Sequence, residues 1–233
     1  MTTTLHLLCA GAAQGLVKAL QHGFRADTGA DVQGRFGAVG AMQEALLAGE
    51  PCDVFVATAA MLDSLSAQGR LRSDTCAPLG RVRTGIAVRS GQMRPDVSTP
   101  EALQAALLGA DAIYLPDPLR ATAGIHFANV MRQLGIFEAL QPRLRTHPNG
   151  ATAMRELAAS GARQPIGCTQ VTEIVYTEGV DLVGVLPARF ELATVYSAAV
   201  SASAADPALA ARFVALLCGP ASRSLRLSGG FEC

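Results

Sequence analysis

Two titratable side chains stand where chemistry could be done in this sequence, Cys9 and Glu173. Cys9 closes the apolar run Leu5-His-Leu-Leu-Cys, and the small residues Ala10-Gly-Ala-Ala follow it. A thiol at a strand's carboxyl end, beside the N–H groups of a starting helix, has the surroundings that lower a cysteine pKa and make it a nucleophile. The same position also suits a buried cysteine that acts as a small hydrophobe. Glu173 follows the apolar run Pro165-Ile-Gly-Cys-Thr-Gln and is a candidate base, although a glutamate there can equally face solvent or cap a helix. Backbone donors are the other resource. Ala10, Gly11 and Ala12 after the first strand, and Gly37, Ala38 and Val39 after the second, put N–H groups unobstructed by side chains where an anion can approach. Arg120 and Thr122 precede a helix that starts near Ala123, where they can clamp a carboxylate. A solvated loop arginine and a plain N-cap threonine are the alternative there. His126 sits among apolar neighbours in a helical stretch and reads as a packed core histidine. Arg81 and Arg83 face a site or decorate the surface, and Tyr176 and Tyr196 are further hydroxyl donors.

The elements that must position these residues alternate. Leu5–Leu8 reads as a strand, and a helix from about Ala13 to Thr28 ends at Gly29. Strands at Asp31–Phe36 and Asp53–Ala57 and helices at Ala41–Ala48 and Ala60–Gln68 continue the pattern, which predicts a parallel sheet covered on both faces. After the run Thr84–Val88 the texture changes. Thr99 caps a helix with Pro100 in its first turn. Further helices are expected at Thr122–Leu134, Ala151–Ala159 and Pro207–Leu217, the last followed by a helical segment reaching Leu227. Strands are expected at Ala112–Leu115, Pro165–Thr169, Asp181–Leu186 and Thr194–Ser201. The organisation expected is one α/β domain from residues 1–83 plus 195–233 and a second inserted at 84–194, with a strand at each junction.

Composition removes several function classes. The chain has 233 residues, half of them hydrophobic and 16% charged, so a substantial core can form. Net charge is zero and no basic stripe carries interleaved aromatics, which argues against nucleic acid. No apolar run approaches the roughly 18 residues of a membrane helix. Six cysteines without CxxC spacing and four scattered histidines suggest neither a disulfide framework nor a metal site, and no cofactor motif is present. As written, without a signal peptide, the chain is expected in the cytoplasm; it is periplasmic if it is a trimmed mature form.

Taken together, Cys9-Ala-Gly-Ala, Phe36-Gly-Ala-Val-Gly, Ala48-Gly-Glu-Pro-Cys-Asp-Val-Phe-Val-Ala, Asp117-Pro-Leu-Arg-Ala-Thr-Ala-Gly-Ile, Gln133-Leu-Gly and Leu217-Cys-Gly-Pro-Ala-Ser resemble the periplasmic molybdate-binding proteins. The resemblance spans nearly the whole chain. It implies an α/β, two-lobed type II periplasmic-binding-protein-like fold with two crossover strands and an interlobe cleft. In that family two serines at helix starts, a tyrosine hydroxyl and second-lobe amides hold the oxyanion. The serine positions fall here at Ala12 and at Ala38 or Val39, and the tyrosine position falls near Gln170, beside Thr169. The amides fall near Ala123 and at Asn149–Gly150, and Glu173 is the carboxylate nearest the matched tyrosine. All three hydroxyls are missing. Each buried unpaired group costs about 1–3 kcal/mol, so their loss disfavours molybdate and suits a carboxylate.

Two expectations follow. The first is a binding protein for a small anionic solute, an organic carboxylate or an oxyanion, with an ABC permease as partner only if the chain is exported. The second is a cofactor-free isomerase or lyase for a small unsaturated carboxylate, because isomerases such as aconitate isomerase are similar to the molybdate-binding proteins. In that reading amides and arginine hold the carboxylates while a base, Glu173, Cys9 or His126, shifts an allylic proton.

Overall fold

The computed structural model describes residues 3–233, which divide into two compact α/β units. The first comprises the chain up to Val82 together with Thr194–Cys233, and the second is Arg83–Ala193. Both passages between units are made near or within strands.

The first unit begins with β1 (Thr4–Ala10), α1 (Gln14–Thr28), β2 (Asp31–Gly37), α2 (Val39–Leu47), β3 (Val54–Thr58) and α3 (Ala59–Ala67). Leu16, Val17, Leu20 and Phe24 recur on one face of α1 and are buried. Gly29, at φ 73°, ends the helix by donating its N–H to the Arg25 carbonyl, a left-handed position that glycine takes without a Cβ penalty. Strand β4 (Ala77–Arg89) then runs out of this unit into the second.

The second unit continues with α4 (Pro100–Gly109), β5 (Ala112–Pro116), α5 (Thr122–Gln133), α6 (Phe137–Leu140), β6 (Leu144–His147), α7 (Gly150–Ala158), β7 (Pro165–Gln170), α8 (Val171–Val175) and β8 (Val180–Val185). The chain returns through β9 (Ala193–Val200) and closes the first unit with α9 (Pro207–Cys218) and α10 (Arg223–Ser228).

In the first unit β1 lies between β2 and β3, both parallel to it, and β9 pairs antiparallel with β3. In the second, β8 and β7 flank β4 antiparallel, while β5 runs parallel to both β7 and β6. The sheets are therefore mixed, where uninterrupted strand–helix alternation predicts a parallel one. Parallel neighbours need a helical crossover, and β9 and β4 enter their pairings without one. Each unit has its own core. Leu7, Phe55, Leu62 and Phe213 are among the residues at the centre of the first, and Ile113, Phe127, Met131 and Ile166 of the second.

Observed elements agree with the sequence pattern to within a residue or two at most ends. Three were not anticipated, among them the short helix α6. Strand β6 is a polar Leu-Arg-Thr-His segment that pairs with β5, and α8 is a five-residue helix rich in β-branched residues, which have low intrinsic helix preference.

Candidate functional site

Strand order brings the carboxyl ends of β1 and β2 together. Their register pairs Ala10 with Gly37, so the two chain segments that follow start side by side. Ala10 is the N-cap of a 3₁₀ turn, Gly11–Ala13, that leads into α1, and Ala38 is the N-cap of α2. Neither makes a side-chain capping hydrogen bond, since neither has a side chain able to accept one. Helix α3, which follows the neighbouring strand β3, is different. Thr58 accepts from the Met61 N–H there at 3.3 Å. Thr99, Asn149 and Asp206 cap α4, α7 and α9 in the same way. The helix starts built from Ala10–Ala12 and Gly37–Val39 thus keep their first N–H groups uncapped, where partial positive charge accumulates. Gly11, Ala12, Ala38 and Val39 are all buried or nearly so.

The second unit gathers the carboxyl ends of β5, β6 and β7 through their parallel pairing. Helix α5 starts at Thr122, as the helical stretch Thr122–Leu134 predicts, and not near Ala123. Ala121 is its N-cap, without a side-chain bond, and Thr122 is its first residue. Thr122 is therefore not the capping threonine: an alanine occupies the position whose side chain would reach the free amides. Arg120 stands exposed in the preceding turn, where Asp117 Oδ1 accepts from the Leu119 N–H at 2.7 Å, and Ala123 is buried. Gly124 allows α5 to approach the end of β5. A Cβ there would lie 2.2 Å from the Asp117 carbonyl oxygen.

The start of α7 is built differently. Asn149 Oδ1 accepts from the Thr152 N–H at 2.8 Å. Glu173, in α8, brings its carboxylate to the same place, beside the backbone N–H groups of Gly150, Ala151 and Gln170. Thr169 Oγ1 donates to Glu173 Oε2 at 2.5 Å. Glu173 thus does not face solvent; its carboxylate turns back to the N–H of Gln170, the N-cap of its own helix, as the third residue of a capping box does. Burial pushes its carboxyl above the ordinary carboxylate range, against the downward pull of these donors. Gly150 makes the approach feasible, because a Cβ at that position would meet Glu173 Oε2 at 1.9 Å and Thr169 Oγ1 at 2.0 Å.

Cys9 requires a correction. Its side chain is fully buried, its Sγ donates to the Ala10 carbonyl at 3.3 Å, and burial drives the thiol pKa upward, with Cys52 adding to the rise. The desolvation outweighs any help from nearby helix amides, and the group is a packed thiol rather than an activated nucleophile. His126 is half-buried rather than fully packed, and its Nε2 lies 2.8 Å from the Phe190 carbonyl. Arg81 pairs with Glu232 at 2.6 Å and Arg83 with Glu191 at 3.7 Å, so both arginines have partners within their own units. Tyr196 is buried in the first core, and Tyr176 is partly exposed.

Sequence reading overlooked two hydroxyls. Thr84 Oγ1 and Thr172 Oγ1 are buried with no hydrogen-bond partner in the protein, and Thr84 lies in register with Gln170 across β4 and β7. Neither a threonine in a strand, Thr84, nor one in a short helix, Thr172, gives a periodic signal that its hydroxyl is left over. Among the described residues, no group of three or more His, Cys, Asp and Glu side chains converges to hold a metal ion.

The family model for bacterial extracellular solute-binding proteins matches residues 5–232. The chain belongs to that family. Its fold is the type II periplasmic-binding-protein fold, seen in the periplasmic molybdate-binding protein of Azotobacter vinelandii. That structure has a TM-score of 0.80 at 21% identity, with 98% of this chain and 99% of that chain covered. The sulfate-binding protein SubI of Mycobacterium tuberculosis H37Rv is also similar, with a TM-score of 0.73 at 18% identity over 98% of this chain and 86% of that one. Among curated proteins, an aconitate isomerase from a Pseudomonas species is 26% identical over 211 residues, covering 88% of this chain and 78% of that protein. No helix among the described residues is long and apolar enough to cross a membrane.

Proposed function

We propose that this family member binds a small organic carboxylate through the uncapped helix starts at Ala10–Ala12 and Ala38–Val39. One observation carries the reading: two adjacent strand ends lead into helix starts with no side-chain cap, while the next strand of the same sheet leads into a capped helix. Backbone N–H groups of that kind stabilise anionic oxygens without a counter-charged side chain. The serine hydroxyls expected of the molybdate-binding proteins are replaced by Ala12 and Ala38 or Val39. A planar carboxylate, with two oxygens, asks for fewer donors than a tetrahedral oxyanion with four. In the second unit, Arg120, Thr122, Ala123, Thr169 and Gln170 are proposed as anion contacts. The family description favours an extracellular or periplasmic location, with an ABC permease as the partner that receives the solute.

The test is a thermal-shift series with tungstate, molybdate, sulfate and mono-, di- and tricarboxylates. A ligand at about a hundred times its dissociation constant should add roughly 2.7 kcal/mol of stability. A carboxylate-selective shift supports the reading, and a shift with tungstate or molybdate alone refutes it.

A second reading is favoured by the buried Glu173 carboxyl and by the likeness to an aconitate isomerase. Here the Glu173 carboxylate removes a proton from a carbon allylic to the substrate's double bond. The C–H electron pair becomes the new double bond, and the electrons of the old one take a proton at its far carbon. Proton NMR of trans-aconitate with the protein in deuterated water separates the two readings. Deuterium incorporation or isomerisation supports the enzyme, and binding without exchange supports the receptor.

A further inference from the structure

A cavity of about 310 Å³ lies wholly within the second unit, and none of the anion contacts proposed above lines it. Val88 and Ile166, in register across β4 and β7, line it together with Met93 and Pro95 from the β4–α4 connection and Ala106 from α4. It therefore stands at the amino end of β7, whereas Thr169 and Gln170 stand at the carboxyl end. Its lining is mostly apolar, and Gln92 and Arg163 are among the polar exceptions. Gln92 Nε2 donates to the Arg163 carbonyl at 2.8 Å, which fixes the direction of the amide. Its Oε1 is buried with no hydrogen-bond partner among the described residues. Other acceptors close by are served. The Leu108 and Ala110 carbonyls accept from Arg143 Nη1 at 2.7 and 3.0 Å, and the Asp111 carboxylate accepts from the Arg163 and Gln164 N–H groups. A buried acceptor without a donor is costly and rare, so Gln92 Oε1 asks for a donor brought from outside the chain.

The geometry points to a ligand site in this cavity, separate from the anion contacts, for a small uncharged aromatic heterocycle that donates a ring N–H to Gln92 Oε1. An apolar cavity of about 150 Å³ takes up benzene, so one of about twice that volume accommodates two fused rings. A mostly apolar lining with a single convergent acceptor is the pattern that holds such a ligand and sets its orientation. Met93, 90% exposed, offers a thioether that makes favourable contacts with ring edges, and the Arg163 guanidinium is a planar group of the kind that stacks on ring faces. With Arg163 in the lining and Arg143 on the adjoining end of α4, a cationic donor is disfavoured against a neutral one.

The experiment titrates the full chain with indole and with indene, a ring system of the same shape that lacks the N–H. The protein carries ¹³C at its methionine methyl groups, and the Met93 signal is identified as the one lost in Met93→Leu. Indole is expected to move the Met93 signal saturably and to bind about tenfold more tightly than indene, because indene leaves the acceptor unpaired. Gln92→Met, which removes the acceptor and keeps the length, should bring the two affinities together. Ala106→Phe, which fills the cavity, should abolish the indole shift. Equal affinities for indole and indene in the wild type overturn the proposal, as does a preference for indole that survives in Gln92→Met. Saturable binding that leaves the Met93 signal in place, or no saturable binding at millimolar indole, overturns it too. Should neither Gln92→Met nor Ala106→Phe fold, the wild-type affinity ratio and the Met93 signal decide on their own.

Discussion

The ends of β1 and β2 in the first unit and the end of β6 in the second are finished in opposite ways. In the first, β1 and β2 deliver Ala10 and Ala38, residues that can do nothing for the amides beyond them. In the second, β6 and β7 deliver Asn149 and Thr169, and Glu173 joins them, so that the start of α7 is satisfied from within. Helix starts that look equivalent in a strand–helix alternation therefore differ in what they can still bind. An uncapped start forgoes stability and keeps donors; a capped one uses those donors for the fold. The difference lies in the side chains at these junctions, and in each case a strand end leads into a helix.

The comparison breaks most directly at Gly150. Gly150→Ala places a methyl group against Glu173 Oε2 and Thr169 Oγ1, and it should destabilise the protein by about 3 kcal/mol, as overpacking of a closed site does. Urea unfolding checks this. A change below about 0.5 kcal/mol would mean that Glu173 leaves the α7 start readily and that the start is not closed.

A smaller effect sharpens the electrostatic side. Because burial holds the Glu173 pKa above its unfolded value, the folded state keeps a proton that the unfolded state has released. Stability must then fall as pH rises from the unfolded glutamate value through the raised folded one, with a slope of at most about 1.4 kcal/mol per pH unit for one proton. Below the unfolded value the contribution is fully present. Glu173→Gln should remove this slope, which is read by comparing urea midpoints of the two proteins across that range. Parallel pH profiles would show that the carboxyl ionises as easily in the fold as outside it.

The smallest effect compares the caps themselves. Thr58→Ala should cost about 1 kcal/mol, because it strips the start of α3 of its acceptor. Ala38→Ser should instead stabilise by a similar amount, about 1 kcal/mol, by supplying α2 with the acceptor it lacks. If both substitutions leave the unfolding midpoint unchanged, capping is not what distinguishes these helix starts.

Much of this arrangement was legible residue by residue. Gly29 after the α1 pattern, Thr99 followed by Pro100, and small residues after two apolar runs are local signals, and the elements they mark appear as expected. The side-by-side helix starts could be located for the same reason, since a strand followed by alanine and glycine leaves its amides bare whatever the rest of the fold does. Their role in holding a ligand is a proposal. Other features were misread where the outcome turns on one residue or on depth. The α5 N-cap falls on Ala121 rather than Thr122, and Cys9 is buried too deeply for its thiol to ionise readily.

Local chemistry, then, follows from order along the chain: periodicity sets helix and strand, and the residue at each junction sets whether a cap is available. Tertiary structure alone decided where Glu173 goes. It lies 23 positions beyond Gly150, with a helix, a loop and a strand between them, and neither residue announces the other. Their meeting depends on β7 running beside β5 and on α7 and α8 packing together. Burial, which raises the Glu173 pKa and leaves the Thr84 and Thr172 hydroxyls without partners, is likewise a property of the packed unit and not of either residue's neighbours in sequence.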